Sequence, residues 1–267
     1  VLTAVQARIN GALGAAIGDG FVAASISFGT GLVLILVITL SVPSGRRGLR
    51  LLVAGAGRGI PIWMLLGGLA GAVTVATQGL TVATIGVALF TVGLVAGQTA
   101  GGLVLDRVGY GPAGVVAVTV PRLVGGLLAI VGVVLCALGQ RGEPVAWWML
   151  ALPLIAGAGI AWQQGTNGRL RQELGSPLST TVVNFTGGSI ALGIAAAVSV
   201  TVNGMPSALP AEPWMYLGGA MGVVYIVISA ALVKRTGVLL LGLGSVVGLL
   251  AASIILDAIA PPPSGPS

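Results

Sequence analysis

The chain has 267 residues, 56% of them apolar and only 7% charged, and its mean hydropathy is +1.08. So little polar surface cannot coat a water-soluble globule, and the chain is therefore an integral membrane protein. A formal charge of +6 would draw nucleic acid to a soluble domain, but in a membrane protein it reflects the Lys/Arg bias of cytoplasmic loops, so no nucleic-acid partner is expected.

Cys136 is the single cysteine and there is no histidine. Disulfides and ordinary zinc or haem ligation are thereby excluded, and no cofactor or metal is expected. The first residues lack the basic, apolar and small-residue order of a cleaved signal peptide. The 45 glycines suit helices that associate in lipid through close backbone approach at small residues.

Apolar runs long enough for about 20 helical residues to cross the hydrocarbon core fall at 1–17, 21–42, 61–78, 82–105, 119–139, 146–172, 177–202, 213–233 and 238–258. These predict an all-α protein of about nine transmembrane helices. Ser176-Pro177 reads as an N-cap followed by proline at the first helical position, and Asp19-Gly20 marks an equivalent corner.

The chain is an internal duplication. A shift of 157 residues pairs Gln6 with Gln163, Asn10 with Asn167, Gly18 with Gly175, Phe28 with Phe185 and Gly31 with Gly188. Further on, a shift of 151 pairs Trp63 with Trp214, Gly67-Gly68 with Gly218-Gly219, Gly71 with Gly222, Gly97 with Gly248, and Leu105-Asp106 with Leu256-Asp257. Landmarks in this order mark a repeat. Three parts follow: a first repeat of four helices at 1–110, a connecting helix five with its loop at 111–145, and a second repeat of helices six to nine at 146–267, ending in the Pro-rich tail Pro261–Ser267. By this alignment helix one lacks about eleven residues that its counterpart has ahead of Gln163. The expectation is a natural chain that starts upstream of Val1, or a short first helix.

One odd helix between two four-helix copies inserts the second copy from the opposite side, so the repeats are inverted. Charge counting agrees. With the start of helix one cytoplasmic, inside loops hold Arg46, Arg47, Arg50, Arg58, Arg107, Arg122, Arg169, Arg171, Lys234 and Arg235, against Arg141 and Arg8 outside. The carboxyl terminus is then outside. Inverted repeats are the plan of many secondary transporters, whose halves exchange conformations around a midplane site. The competing expectations are a membrane scaffold or assembly subunit that transports nothing, and a lipid flippase.

Gln6 and Asn10 share one face of helix one, and Gln163 and Asn167 the same face of helix six. Amides in hydrocarbon need partners. Their functional reading is a pathway lining of neutral donors and acceptors, and their structural reading is glue between helices. Ser27 and Asn184 are matched in helices two and seven, and Thr74 and Tyr225 in helices three and eight. The Tyr225 ring can stack on a substrate or sit satisfied in the core. Arg8 can hold an anionic group or snorkel to the headgroups. Gly93, Gly97 and Gly101 of helix four form a small-residue ridge that helix nine keeps at Gly244 and Gly248, serving packing across the halves or a homodimer through helices four and nine. Gln98 is the polar exception on that ridge and joins the pathway candidates. Asp106 and Asp257 read as caps at the water interface. No Asp or Glu falls mid-membrane and no nucleophile–base pair or phosphate loop appears, so catalysis is not expected.

The run Gln6-Ala-Arg-Ile-Asn10-Gly11-Ala-Leu-Gly14, with Ser27-Phe28, the Trp63–Gly71 segment, and Gly97-Gln98 followed by Leu105-Asp106-Arg-Val-Gly109, resembles the YdcZ-type family of the drug/metabolite transporter superfamily. The resemblance covers both halves. It implies a bacterial inner-membrane permease related to small multidrug-resistance proteins, with four-helix units around a central cavity. The second copy departs from the pattern with Leu249 in place of the glutamine and with no tenth helix. The carboxylate of the small multidrug-resistance proteins also has no counterpart near Gln6, which sets aside proton-coupled export of cationic drugs. The function expected is alternating-access movement of a small organic metabolite or drug-like molecule, with membrane lipids as the surrounding partner.

Overall fold

The computed structural model describes residues 2–55, 59–117, 147–206 and 208–259, with isolated positions between 119 and 131. The expected connecting helix at 119–139, with Cys136, falls almost entirely outside the described residues, as does the Pro-rich tail. Every regular element described is helical: α1 (Leu2–Ile17), α2 (Gly20–Ser41), α3 (Pro43–Gly55), α4 (Gly67–Arg107), α5 (Trp147–Leu174), α6 (Pro177–Asn203) and α7 (Gly218–Ile259). One-turn 3₁₀ segments at Ile62–Leu65 and Pro213–Tyr216 lead into α4 and α7.

Two matched corners show how local sequence sets these boundaries. Gly18 and Gly175 adopt φ of 74° and 64°, a region that other residues reach only at a cost. Each ends its helix by donating its N–H back, to Gly14 at 2.9 Å and to Arg171 at 2.8 Å. The next helix then starts on a polar cap. Asp19 accepts from the N–H groups of Phe21 and Val22, and Ser176 accepts from that of Ser179.

α4 and α7 each cover a stretch expected as two helices, 61–105 and 213–258, and each reverses direction part-way. A straight α4 of 41 residues would be about 60 Å long at 1.5 Å per residue. Yet the rings of Trp63, ahead of it, and Tyr110, beyond it, lie 5.7 Å apart, so the run turns back on itself between its apolar stretches Ile62–Val82 and Leu89–Arg107. In α7 the reversal is at Gly237, with φ 72°. The amides freed there, those of Val238 and Leu239, donate to the buried Asp106 carboxylate at 3.0 and 3.1 Å. Asp106 is therefore a buried cap for another helix, rather than an end cap at the water interface.

Five stretches among the described residues are long and apolar enough to cross a membrane: Gly20–Ser41, Ile62–Val82, Leu89–Arg107, Pro177–Asn203 and Pro213–Gly242. α1, at 16 residues, is too short for that set, and α5 joins an apolar first half to a polar second half running from Gln163 to Glu173. Arg46, Arg47 and Arg50, expected in an inside loop, lie instead on α3. It is an amphipathic helix that turns Leu49 and Leu52 toward the core and leaves Arg46 and Arg47 exposed, as interfacial helices do.

α2 and α6 lie side by side and antiparallel. Ser199, near the end of α6, donates to Asp19 at the start of α2 at 2.6 Å, and Ser179, near the start of α6, donates to the Gly45 carbonyl just past α2 at 2.9 Å. Midway, the rings of Phe28 and Phe185 meet at 4.9 Å. Each ring fills the space beside the other helix's glycine, so a Cβ at Gly31 would strike Phe185 and one at Gly188 would strike Phe28.

Candidate functional site

Around the Phe28–Phe185 pair the two halves exchange elements. The first run of α4 crosses α6, where a Cβ on Gly68 would overlap the Asn184 carbonyl. The first run of α7 crosses α2, where one on Gly219 would overlap the Ser27 carbonyl. One turn further in, Gly71 faces Gln163 and Gly222 faces Gln6. The Gly-Gly pairs seen in the sequence are thus the tight crossings that bring each half's third helix onto the other half's polar face.

That face is satisfied differently in the two halves. Gln163 donates to the Gly67 carbonyl at 3.1 Å and to Asn184 Oδ1 at 3.0 Å, and Asn184 in turn donates to Asn167 Oδ1 at 2.9 Å. Glutamine, asparagine and asparagine form one closed chain, each bond worth roughly 0.5–1.5 kcal/mol net. In the first half Ser27 stands where Asn184 does, and it is too short to bridge. Asn10 instead donates to Gln78 at 2.7 Å, while its own Oδ1 and the Ser27 hydroxyl have no partner and converge on Gly218. Gln6 makes no side-chain hydrogen bond among the described residues.

Between the halves lies a cavity of about 30 Å³, room for about two waters. Among the described residues its polar lining is Thr3, Gln6, Gln163, Thr74, Gln78 and Tyr225, walled by Phe28 and Phe185. No carboxylate, lysine or arginine among the described residues lines it. Tyr225 accepts from Gln164 Nε2 at 2.7 Å. Together with Thr3 it also lines a separate groove of about 380 Å³, bordered by Ser229, Ser245, Gly244 and Gly248. The wall between the two spaces is therefore one layer of side chains.

Of the residues singled out from the sequence, Gln6, Gln163, Thr74 and Tyr225 meet at the cavity, while Asn10, Asn167, Ser27 and Asn184 are buried in the clusters that flank it. Gln98 is buried against Gly242 with its Nε2 unpartnered and does not reach the cavity. Arg8 is half-buried on α1 and does not line it either. The Gly93, Gly97 and Gly101 ridge packs on α5 of the same chain, against Pro153, Leu154 and Ala158. Gly244 faces open space. Two participants were missed, Gln78 and Gln164. Gln78 follows Thr74 by one turn, so the same i, i+4 rule that linked Gln6 to Asn10 could have found it. Gln164 points away from its neighbour's face, and only the contact with Tyr225 reveals it.

Fold and site together define a multi-pass helical membrane protein whose spans converge on a small, uncharged polar cavity. The chain matches the model of the DMT-YdcZ family, described as "Putative inner membrane exporter, YdcZ", over residues 1–135 and 148–261, and it belongs to that family. This makes it an inner-membrane protein of an exporter family. Neither a curated protein nor a solved structure matches it.

Proposed function

We propose that the chain is a secondary transporter that exports a small, neutral organic molecule across the bacterial inner membrane by alternating access. Two inverted four-helix repeats, joined by the helix expected at 119–139, would make up nine spans, with the carboxyl terminus outside. The antiparallel packing of the matched helices α2 and α6, and the mirrored glycine crossings, support the inverted plan. The observation that carries the reading is the cavity where both halves meet, polar through amides and hydroxyls and, among the described residues, free of charged side chains. Such a lining offers hydrogen bonds to a neutral solute and no counter-ion to a cation. Phe28 and Phe185 supply apolar walls, and Gln6 and Gln163 are the matched polar contacts.

The position that separates pathway from glue is Gln6, because Gln163→Leu would also remove two structural hydrogen bonds. Proteoliposomes are loaded with a panel of neutral metabolites, and the external medium is followed by mass spectrometry. The expected result is protein-dependent release of a subset of the panel, lost in Gln6→Leu with an unchanged melting temperature. Release that survives Gln6→Leu, or no protein-dependent release at all, would remove the cavity from the pathway.

A further inference from the structure

Away from the central cavity, Arg171 in the last turn of α5 and Lys234 and Arg235 on α7 line a cleft of about 610 Å³. Among the described residues the rest of its lining is Ala231 and Leu232, with no carboxylate. Lys234 and Arg235 are exposed, as snorkelling side chains at a membrane edge would be. Arg171 is not explained that way, because its Nε is buried and has no hydrogen-bond partner. A desolvated guanidinium donor beside two further cations calls for an anion with several acceptor oxygens.

The surface leading to the cleft indicates what carries that anion. Val224, Ile228 and Leu232 are 41%, 46% and 40% exposed and recur every four residues, so they form one apolar stripe along α7. Leu232 ends the stripe and is itself a wall of the cleft. Cations at the end of an exposed apolar stripe match a phosphate head with acyl chains.

We propose that Arg171, Lys234 and Arg235 form the headgroup site of an anionic phospholipid whose acyl chains lie along Val224, Ile228 and Leu232. The site is separate from the solute cavity and does not depend on which solute is carried. Native mass spectrometry and thermal unfolding of the full chain test it, with phosphatidylglycerol titrated into phosphatidylcholine nanodiscs. The expected result is a saturable rise in melting temperature with phosphatidylglycerol retained on the chain. Apparent affinity should fall about fivefold for each of Lys234→Gln and Arg235→Gln, from roughly 1 kcal/mol per cation at a membrane surface, and at least as far for Arg171→Gln. If Arg171→Gln does not fold, the two exposed lysine and arginine variants decide. Inorganic phosphate at matched concentration should give no shift, and Leu232→Ser should weaken retention. A phosphate shift equal to that of the lipid would overturn the lipid as ligand, and a lipid effect unchanged in the charge variants would overturn the site.

Discussion

At the scale of single residues, the two halves differ at one position with a disproportionate effect. Asn184 closes a hydrogen-bonded chain between Gln163 and Asn167, whereas Ser27 leaves Asn10 Oδ1 and its own hydroxyl unpartnered. Buried orphan groups cost about 1–3 kcal/mol each, so the first half carries polar capacity that the second half has already spent on itself. Ser27→Asn should restore the bridge between Gln6 and Asn10. The melting temperature in detergent should then rise by a few degrees, from about 1 kcal/mol of added hydrogen bonding, and solute release should fall. A lower melting temperature would show that the first half has no room for the bridge. The i, i+4 spacing in the sequence was enough to put Gln6 with Asn10 and Gln163 with Asn167. It could not say which amides would pair, because that depends on side-chain length across helices: Ser27 against Asn184, and Gln78 reaching back to Asn10.

At the scale of elements, glycines set the distances between helices. Gly97 and Gly157 are reciprocal: a Cβ on the first would overlap the Leu154 carbonyl, and one on the second the Leu94 carbonyl. The second run of α4 and the first half of α5 therefore touch backbone to backbone. Gly157→Leu should lower the melting temperature by several degrees, or abolish a monodisperse peak in size exclusion, since overpacking at rigid backbone costs about 1–3 kcal/mol. Gly193→Leu on α6, where nothing lies within 4 Å, is the control and should be neutral. Equal loss in both would contradict the packing argument. Most helix positions were legible from hydropathy, and the Asp19 and Ser176 corners from capping chemistry. α3 was not, because Arg46, Arg47 and Arg50 mask the spacing of Leu49 and Leu52 in an average over the segment. The break in α7 was legible too, since the expected gap between 233 and 238 contains the non-helical Gly237. Its cap was not, because Asp106, which receives the freed amides, is distant in the chain.

At the scale of the whole molecule, the cavity between the halves has room for about two waters, far below the roughly 300 Å³ and more of small-molecule sites. Movement of a solute through it therefore requires the halves to separate first on one side and then on the other, as the proposed inverted repeats would do by exchanging conformations. The duplication was visible in the sequence because Gly and Trp landmarks keep their spacing. The exchange of α4 and α7 between the halves was not, since it follows from contacts at Gly68 and Gly219 that no spacing encodes. Thr74 is buried in the cavity lining and its hydroxyl bonds only within its own helix, to the Ala70 carbonyl, so it can be replaced at little structural cost. In a Cys136→Ser background, a membrane-impermeant thiol reagent is applied to Thr74→Cys in right-side-out and in inside-out vesicles. Alternating access predicts labelling from both sides, slowed by a transported solute; labelling from neither side, or from one side alone, would contradict it.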